Sequence, residues 1–146
     1  MKKVSYIVCL VLCIALLACS VGPEPLRYGE DACHTCRMTL MDKKFGAEVV
    51  SVKGKIFKFD DMNCMVNFLN SGTLTERDIA YRLVVDYTVP EKLISAENAF
   101  FLKSGEIRSP MASKIAAFEH KADMDRHKGT WDGIYLTWGE LVTEFK

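Results

Sequence analysis

The sequence predicts a small α+β domain in which two ββαβ-like halves pack together as one unit. Three observations support this fold class. Short segments rich in valine, isoleucine and phenylalanine end at glycine, proline or aspartate, which is typical of strands and turns. Two longer segments carry apolar residues at helical spacing. The chain has 146 residues, 49% of them hydrophobic, which is enough for one compact core.

The start of the chain has the pattern of a lipoprotein signal peptide over residues 1–18. Two lysines precede an apolar run over residues 4–17, which is too short for a comfortable membrane span. Residues 16–19 resemble a bacterial lipobox, which predicts that Cys19 becomes the lipidated first residue of the mature chain. An ordinary signal peptide cut nearby and an uncleaved anchor are the two alternatives. All three predict an exported protein.

The next segment, residues 19–28, predicts a lipidated tether, because it holds two prolines and a glycine and almost no apolar pattern. The folded domain then covers residues 29–146. We expect the chain on the periplasmic side of a bacterial membrane, with the outer membrane favoured over the inner. Its 19 basic and 19 acidic residues balance, and no basic patch indicates a nucleic-acid partner.

In the first half of the domain, the pattern predicts a hairpin, a helix and a central strand. Lys53-Gly54 is a turn signal between two strand-like segments. Asp60-Asp61 can cap the helix that follows, whose apolar residues share one face. The predicted elements are strands over residues 45–52 and 55–59, a helix carrying Met62, Met65, Val66 and Leu69, and a strand over residues 79–89.

In the second half, Ser109-Pro110-Met111 predicts a helix start, because serine caps helices and proline suits the first helical position. The elements are a strand over residues 99–103, a helix from Ser109 through Ile115, Phe118 and Ala122 to about Lys128, a strand over 131–137 and a helical segment over 138–145. Gly129 is expected to end the long helix. The order of elements suggests a degenerate duplication, although no residue-level repeat is strong.

Three sulfur atoms and an imidazole lie within the six residues Cys33-His34-Thr35-Cys36-Arg37-Met38. Thiolate and thioether sulfur select Cu(I), zinc or iron–sulfur clusters. Zinc is held by Cys, His, Asp or Glu, whereas an uncharged thioether suits Cu(I). If residues 36–38 are extended, Cys36 and Met38 point to the same side of the chain and can hold one ion. The alternative is that Met38 fills a gap in the core.

Once the leader and the lipidated cysteine are set aside, Cys33, Cys36 and Cys64 remain. Three is an odd number, so at least one thiol is free or metal-bound in an oxidising compartment. Cys64 lies beside the apolar face of its predicted helix, on the flank shared with Phe68, and can point back toward the start of the domain. A buried inert thiol is the alternative.

A second candidate metal surface is formed by His120, Met124 and His127, which share one side of the predicted second-half helix. Histidine together with methionine can bind copper. Three basic residues crowd the same stretch, however, and a solvated polar face explains the pattern without an ion.

Several short elements occur in an order and spacing that are hard to obtain by chance. They are Cys33-x-x-Cys36-x-Met38, the segment Phe59-Asp60-Asp61-Met62-Asn63-Cys64-Met65, the pair Val85-Asp86, and Ser109-Pro110-Met111 running into Ile115-Ala116-Ala117-Phe118. In these elements the chain resembles the NosL family, from about Asp31 to Leu141. The resemblance implies paired ββαβ units and an exported, usually lipid-anchored, copper-binding accessory protein of nitrous oxide reductase.

The resemblance also implies a Cu(I) metallochaperone that works with a membrane transporter complex supplying the metal and delivers copper to apo nitrous oxide reductase. It implies ligation by Cys36 and Met38, with Met111 as the candidate third ligand. Cys33, His34 and Cys64 are candidate assistants. The family pattern leaves three roles open for Cys33: an extra ligand, a disulfide partner of Cys36 or a bystander. A Cys33–Cys36 disulfide would remove the thiolate that copper needs.

Two other interpretations fit the same residues. A structural zinc site can use Cys33, Cys36 and Cys64 with a histidine as fourth ligand. Thiol redox chemistry at Cys33-x-x-Cys36 is the other, although no evident helix follows to lower the pKa of such a thiol. No spacing predicts a Ser/His/Asp set, a phosphate loop or a paired acid, so the chain is not expected to be an enzyme.

Overall fold

A computed structural model describes residues 21–145. The predicted signal peptide and the predicted lipidation site Cys19 lie outside the described residues. Within residues 21–145, every helix is too short or too polar to cross a membrane.

The described residues form a mixed helix and sheet domain, which confirms the predicted α+β class. The strands are β1 (Ala47–Ser51), β2 (Ile56–Phe59), β3 (Ile79–Val85), β4 (Leu93–Ser95), β5 (Phe100–Lys103), β6 (Ile115–Phe118) and β7 (Ile134–Leu136). The α-helices are α1 (Met62–Asn70), α2 (Lys121–Trp131) and α3 (Trp138–Glu144), and a short 3₁₀-helix spans Glu76–Asp78.

Two antiparallel sheets give the two halves the same topology. The first sheet has the strand order β2-β1-β3-β4 and the second has β6-β5-β7. In each half the first strand lies in the centre, the second and third strands flank it, and a helix connects those two flanking strands. The two predicted ββαβ-like halves are therefore confirmed.

The first half follows its predicted elements closely. The hairpin pairs Ala47 with Phe59 and Val50 with Ile56. Asp61 is the N-cap of α1, and its side chain accepts a hydrogen bond from the backbone of Met62. Strand β4 was not predicted from the sequence, because a three-residue strand is too short to show a period.

The largest difference from the predicted elements lies in the second half. The predicted helix start at Ser109-Pro110-Met111 is wrong, because these residues belong to an irregular loop before β6. Residues 115–118, predicted as helix, form strand β6, and all four are buried. A short run that is apolar throughout fits a buried strand and a buried helix equally well, so periodicity does not separate them. The helix begins instead at Lys121 and continues past Gly129.

Residues 21–28, named here the strap, pack against the first sheet rather than forming a free tether. Leu26 is only 5% exposed and belongs to the main core. The Tyr28 hydroxyl donates a hydrogen bond to the carbonyl of Phe45 at 2.8 Å. A Cβ on Gly46 would lie 2.7 Å from the Leu26 side chain, so glycine is needed there. The packed part of the chain therefore begins before the predicted boundary at Gly29.

The main core joins the two halves into one unit. It contains side chains from both sheets, from α1 and from α3, among them Phe59, Met65, Phe101, Ile115 and Leu141. A second cluster lies under α2, where Met124 packs with Leu102 and Phe118. The end of β3 also meets β6 directly, since the backbone N–H of Tyr87 donates to the carbonyl of Ala117 at 2.8 Å.

Candidate metal centre

The soft-donor segment forms a tight loop between two paired residues, Ala32 and Thr39. The backbone N–H of Cys33 donates to the Met38 carbonyl at 2.8 Å, and the N–H of Arg37 donates to the Cys33 carbonyl at 3.0 Å. Arg37 has a left-handed φ of 67°, so residues 36–38 are not extended, and the condition under which Cys36 and Met38 share one side of a strand is not met. The turn carries Cys36 inward, while Met38 stays 53% exposed.

Three thiols and one carboxylate converge behind this loop. The ligand atoms of Cys33, Cys36, Asp60 and Cys64 all lie within 4.8 Å of one another. The Cys36 thiol is 3.5 Å from both carboxylate oxygens of Asp60. Cys33, Asp60 and Cys64 are buried and Cys36 is half-buried. All three thiols are free, so the cluster has the donors and the spacing of a metal site.

Backbone and side-chain contacts bring the four donors together from three segments. Asp60 is the first residue after β2, and Cys64 lies in the first turn of α1. The hydroxyl of Thr35 donates to the carbonyl of Cys64 at 2.9 Å, which ties the loop to the helix. The N–H of His34 donates to the carbonyl of Lys58 at 2.7 Å, which ties the loop to β2.

The thiols influence one another's protonation. A hydrogen bond from the Cys64 thiol, helped by backbone N–H groups, outweighs burial and lowers the pKa of Cys33 to about 6. Donating that hydrogen bond, together with burial, raises the pKa of Cys64. Burial chiefly raises the pKa of Cys36, with the neighbouring Cys33 and Asp60 adding to the effect. The hydrogen bonds thus favour the thiolate at Cys33, and a cation that binds the other sulfurs must displace their protons.

An open cavity of about 490 Å³ lies on the solvent side of the cluster. Met38 and Asp60 line it, so a thioether and a carboxylate of the cluster face the same space. The opposite wall comes from the second half of the chain. The lining residues include Met38, Met41, Asp60, Arg108, Pro110 and Lys114.

Asp61 fixes that opposite wall to the first half. Its buried carboxylate caps α1 and also accepts hydrogen bonds from the N–H of Met111 at 2.9 Å and from the hydroxyl of Ser113 at 2.6 Å. The Asn63 amide donates to the Met111 carbonyl at 2.8 Å. The backbone of Met111 is therefore held beside the residue that follows Asp60, although not at a helix start. Its side chain is half-buried against the main core.

His34 does not join the cluster. Its ring makes edge contacts with Phe57 and Phe68 at centroid distances of 4.9 and 5.2 Å. Burial and the nearby cations Arg37 and Lys55 lower its pKa. His34, a predicted assistant ligand, therefore lies in an aromatic cluster that disfavours its charged form. Asp60 takes the fourth place that the zinc interpretation gave to a histidine.

The second predicted metal surface is also not assembled. Met124 is 2% exposed and belongs to the core under α2. The ring of His127 lies 4.6 Å from that of Trp131, and its Nδ1 contacts the Asp123 carbonyl. His120 is exposed at the start of α2. Among residues 21–145, the cysteine, histidine and carboxylate side chains that lie close enough to share an ion are those of Cys33, Cys36, Asp60 and Cys64.

Asp60 is the site residue that sequence reasoning missed. The Asp60-Asp61 pair predicts a helix start, and the structure confirms this for Asp61 alone. A helix needs only one capping side chain, so the cap explains one of the two aspartates. The other stands between a strand and a helix that carries a cysteine, and this position is the signal that indicates a metal ligand.

The model of the NosL family matches residues 27–145. The chain belongs to the NosL family. The predicted resemblance is thus confirmed over nearly all of the described residues. Membership of this family agrees with the prediction that the chain is not an enzyme.

A solved NosL structure has the same fold. The crystal structure of the copper chaperone NosL from Shewanella denitrificans aligns with a TM-score of 0.69 at 17% sequence identity, covering 84% of this chain and 96% of that chain. No curated protein sequence matches the chain. The shared fold places the Cys33 cluster and its cavity on a NosL scaffold.

Proposed function

We propose that this chain is an exported, lipid-anchored Cu(I) carrier. In this proposal Cys36, Met38 and Met111 bind the ion, and Cys33, Cys64 and Asp60 lie behind them. The observation that supports it most directly is the convergence of three thiols and a carboxylate within 4.8 Å beside a cavity lined by Met38. Family membership and the copper chaperone of the same fold support copper as the cargo.

The gradient of burial suits a carrier. Cys33 is fully buried, Cys36 is half-buried and Met38 is 53% exposed. An incoming ligand can therefore attach at the exposed side of the ion while the inner sulfur still holds it. Copper then passes by ligand exchange, and a thiolate supplies the charge while thioethers, which no proton competes for, adjust the affinity.

The proposed recipient is apo nitrous oxide reductase, and the proposed source is a membrane transporter complex. Both come from the resemblance to the family. In the same way we propose export and lipidation at Cys19, with the outer membrane favoured. The open cavity supports direct exchange with a protein partner, because its walls leave the Met38 side of the cluster accessible.

A zinc site is the second candidate, because three thiols and a carboxylate are also a donor set that zinc accepts. It predicts that zinc stays bound through purification, that chelation unfolds the domain and that Met38→Leu has no effect. Thiol redox chemistry is disfavoured. The low-pKa thiol, Cys33, is fully buried, and the pKa of the more accessible Cys36 is raised rather than lowered.

The test is an anaerobic Cu(I) titration against a competing chelator. Cys36→Ser should weaken binding by about 100-fold, and Met38→Leu and Met111→Leu by about tenfold each, since a ligand is lost and the fold is kept. Met41→Leu is the matched control, because Met41 lines the same cavity and is 70% exposed. Its affinity should not change.

The outcomes separate the candidates. Unchanged affinity in Cys36→Ser, Met38→Leu and Met111→Leu removes the proposed site. Loss in Cys36→Ser alone indicates a site made only of thiols. Zinc in the purified protein together with an unfolded metal-free form favours the structural zinc site.

A further inference from the structure

We propose that the strap fixes the orientation of the domain on a lipid bilayer. The β1–β2 turn faces the membrane, and the metal cavity opens toward the aqueous side. This inference rests on the proposed lipidation of Cys19 and is independent of copper binding.

The strap runs in one direction along the first hairpin. At its start, Val21 lies 3.8 Å from where a Cβ on Gly54 would be, at the β1–β2 turn. Further along, the N–H of Glu24 donates at 3.0 Å to the side chain of Glu48, the second residue of β1. At its end, Leu26 packs over Gly46, just before β1. The start of the strap and the start of β1 are therefore at opposite ends of the hairpin.

The attachment to the hairpin is built from buried groups. Glu48 is fully buried and one of its carboxylate oxygens accepts the bond from the strap. The ammonium group of Lys58, on β2, donates to the Pro25 carbonyl at 3.1 Å and pairs with Asp31 at 2.7 Å. Leu26 completes the contact in the core. Because the strap is held in this way, the position of its first residue is fixed relative to the rest of the domain.

The lipid-bearing residue cannot lie far from the turn. Cys19 is two positions before Val21, and two residues span at most about 7 Å. A diacylated cysteine buries its chains in the bilayer. The β1–β2 turn is therefore brought to the headgroup region whenever Cys19 is anchored.

The surface at the turn has the chemistry of a membrane contact. Val21 and Val52 are exposed apolar side chains, at 38% and 48%. Lys53 and Lys55 are exposed cations beside them, and lysines near a membrane surface are attracted to anionic headgroups. Asp78, which lies beside these lysines, has its carboxylate bonded to Thr75. The occupant that fits this surface is a phospholipid bilayer.

The metal cavity lies at the other end of the same strands. Asp60 lines the cavity and directly follows Phe59, which pairs with Ala47 at the open end of the hairpin. Strand β1 has five residues, so this end is about 15 Å from the turn. With the turn at the headgroups, the cavity opens into the aqueous space. A protein that exchanges copper with this chain must then reach it from that space and not from within the lipid.

The test uses the lipidated chain in vesicles of phosphatidylcholine and phosphatidylglycerol. A membrane-impermeant amine-acylating reagent is added, and modification is measured lysine by lysine by mass spectrometry. Lys55 and Lys44 form a matched pair, because each ammonium group lies over an aromatic ring, at 4.8 and 4.9 Å. Lys44 lies near the cavity end and Lys55 at the turn.

Lys53 and Lys55 should react several-fold more slowly than Lys43 and Lys44 on vesicles. Inserting a flexible Gly-Ser linker between Ser20 and Val21 should abolish that difference, because the domain can then rotate freely. Equal reactivity in the unaltered chain, or slower reaction of Lys44, would overturn the proposal. Absence of lipid on Cys19 in the mass spectrum would overturn it too, and a copper titration of the same sample shows whether the proposed function stands separately.

Discussion

The two halves of the molecule have the same spacing between the end of the second strand and the start of the helix. Phe59-Asp60-Asp61 stands at the end of β2 as Phe118-Glu119-His120 stands at the end of β6. Both phenylalanines are fully buried. Counting on from them, Met65 of α1 corresponds to Met124 of α2, and both side chains lie in a core.

The chemistry differs at nearly every other matched position. Cys64 corresponds to Asp123, and Lys58 corresponds to the buried Ala117. The connections differ as well. A four-residue turn joins β1 to β2, whereas the connection from β5 to β6 is the long loop over residues 104–114. The two halves therefore share a framework, but the cluster of three thiols and Asp60 belongs to the first half. The second half contributes the loop that carries Met111, the proposed third ligand, and lines the outer wall of the cavity.

The largest predicted effect tests the capping positions of the two helices. Asp61→Ala should destabilise the protein by about 4 kcal/mol, because the N–H groups of Met62 and Met111 lose their side-chain acceptor and Ser113 loses its bond to a buried carboxylate. The matched change His120→Ala should cost less than about 0.5 kcal/mol, since that side chain is exposed and makes no capping bond. Urea unfolding at pH 7 measures both. Equal costs would mean that Asp61 does not join the halves.

The matched methionines provide the second test. Met65→Ala and Met124→Ala should each cost about 3 kcal/mol, because each leaves a cavity in a packed core. Copper affinity should be unaffected by Met124→Ala. If that variant is stable but binds less copper, the face formed by His120, Met124 and His127 binds metal after all.

The third prediction concerns the ion pair between Lys58 and Asp31. The second half lacks it, because Ala117 stands where the first half has Lys58. Burial disfavours the charged form of Asp31, but hydrogen bonds from Lys58 and Arg27 outweigh it and lower its pKa to about 2 from the ordinary 3.8. The resulting stabilisation, about 2 kcal/mol, is present above pH 4 and is lost as the pH falls toward 2. Asp31→Asn should remove it at pH 7.

Urea midpoints between pH 7 and pH 2 check this dependence. The difference in stability between the wild type and Asp31→Asn should shrink steadily below pH 4. A difference that stays constant down to pH 2 contradicts the role assigned to the pair.

The smallest predicted effect compares the matched helix positions Cys64 and Asp123. Cys64→Ser should weaken Cu(I) binding by about tenfold, which corresponds to about 1.4 kcal/mol, because the thiol supports the cluster from behind. Asp123→Ala should leave the affinity unchanged. A competition titration under anaerobic conditions measures both, and an unaltered Cys64→Ser affinity would make Cys64 a buried bystander.

Sequence reasoning identified the first half well because each element there has its own local signal. The Lys53-Gly54 turn, the Asp61 cap and the apolar face of α1 are set by neighbouring residues. Cys64 was correctly expected to point back toward the start of the domain, since its position on the helix decides its direction.

The second half depends on contacts that are distant in sequence. Ile115–Phe118 becomes a strand because it pairs with β5 and is buried on all sides, and no local pattern records that pairing. The loop before it takes its shape from Asp61, about fifty positions earlier. The position of His34 depends in the same way on distant contacts, because its ring packs against Phe57 and Phe68 only once the strand and the helix that carry them have come together.

One buried carboxylate, that of Asp61, begins the first helix and also anchors the loop that carries Met111. The shape of the cavity is therefore part of the folded ground state, present before any cargo arrives. Such preorganisation lowers the conformational cost of binding, which suits the copper exchange proposed above.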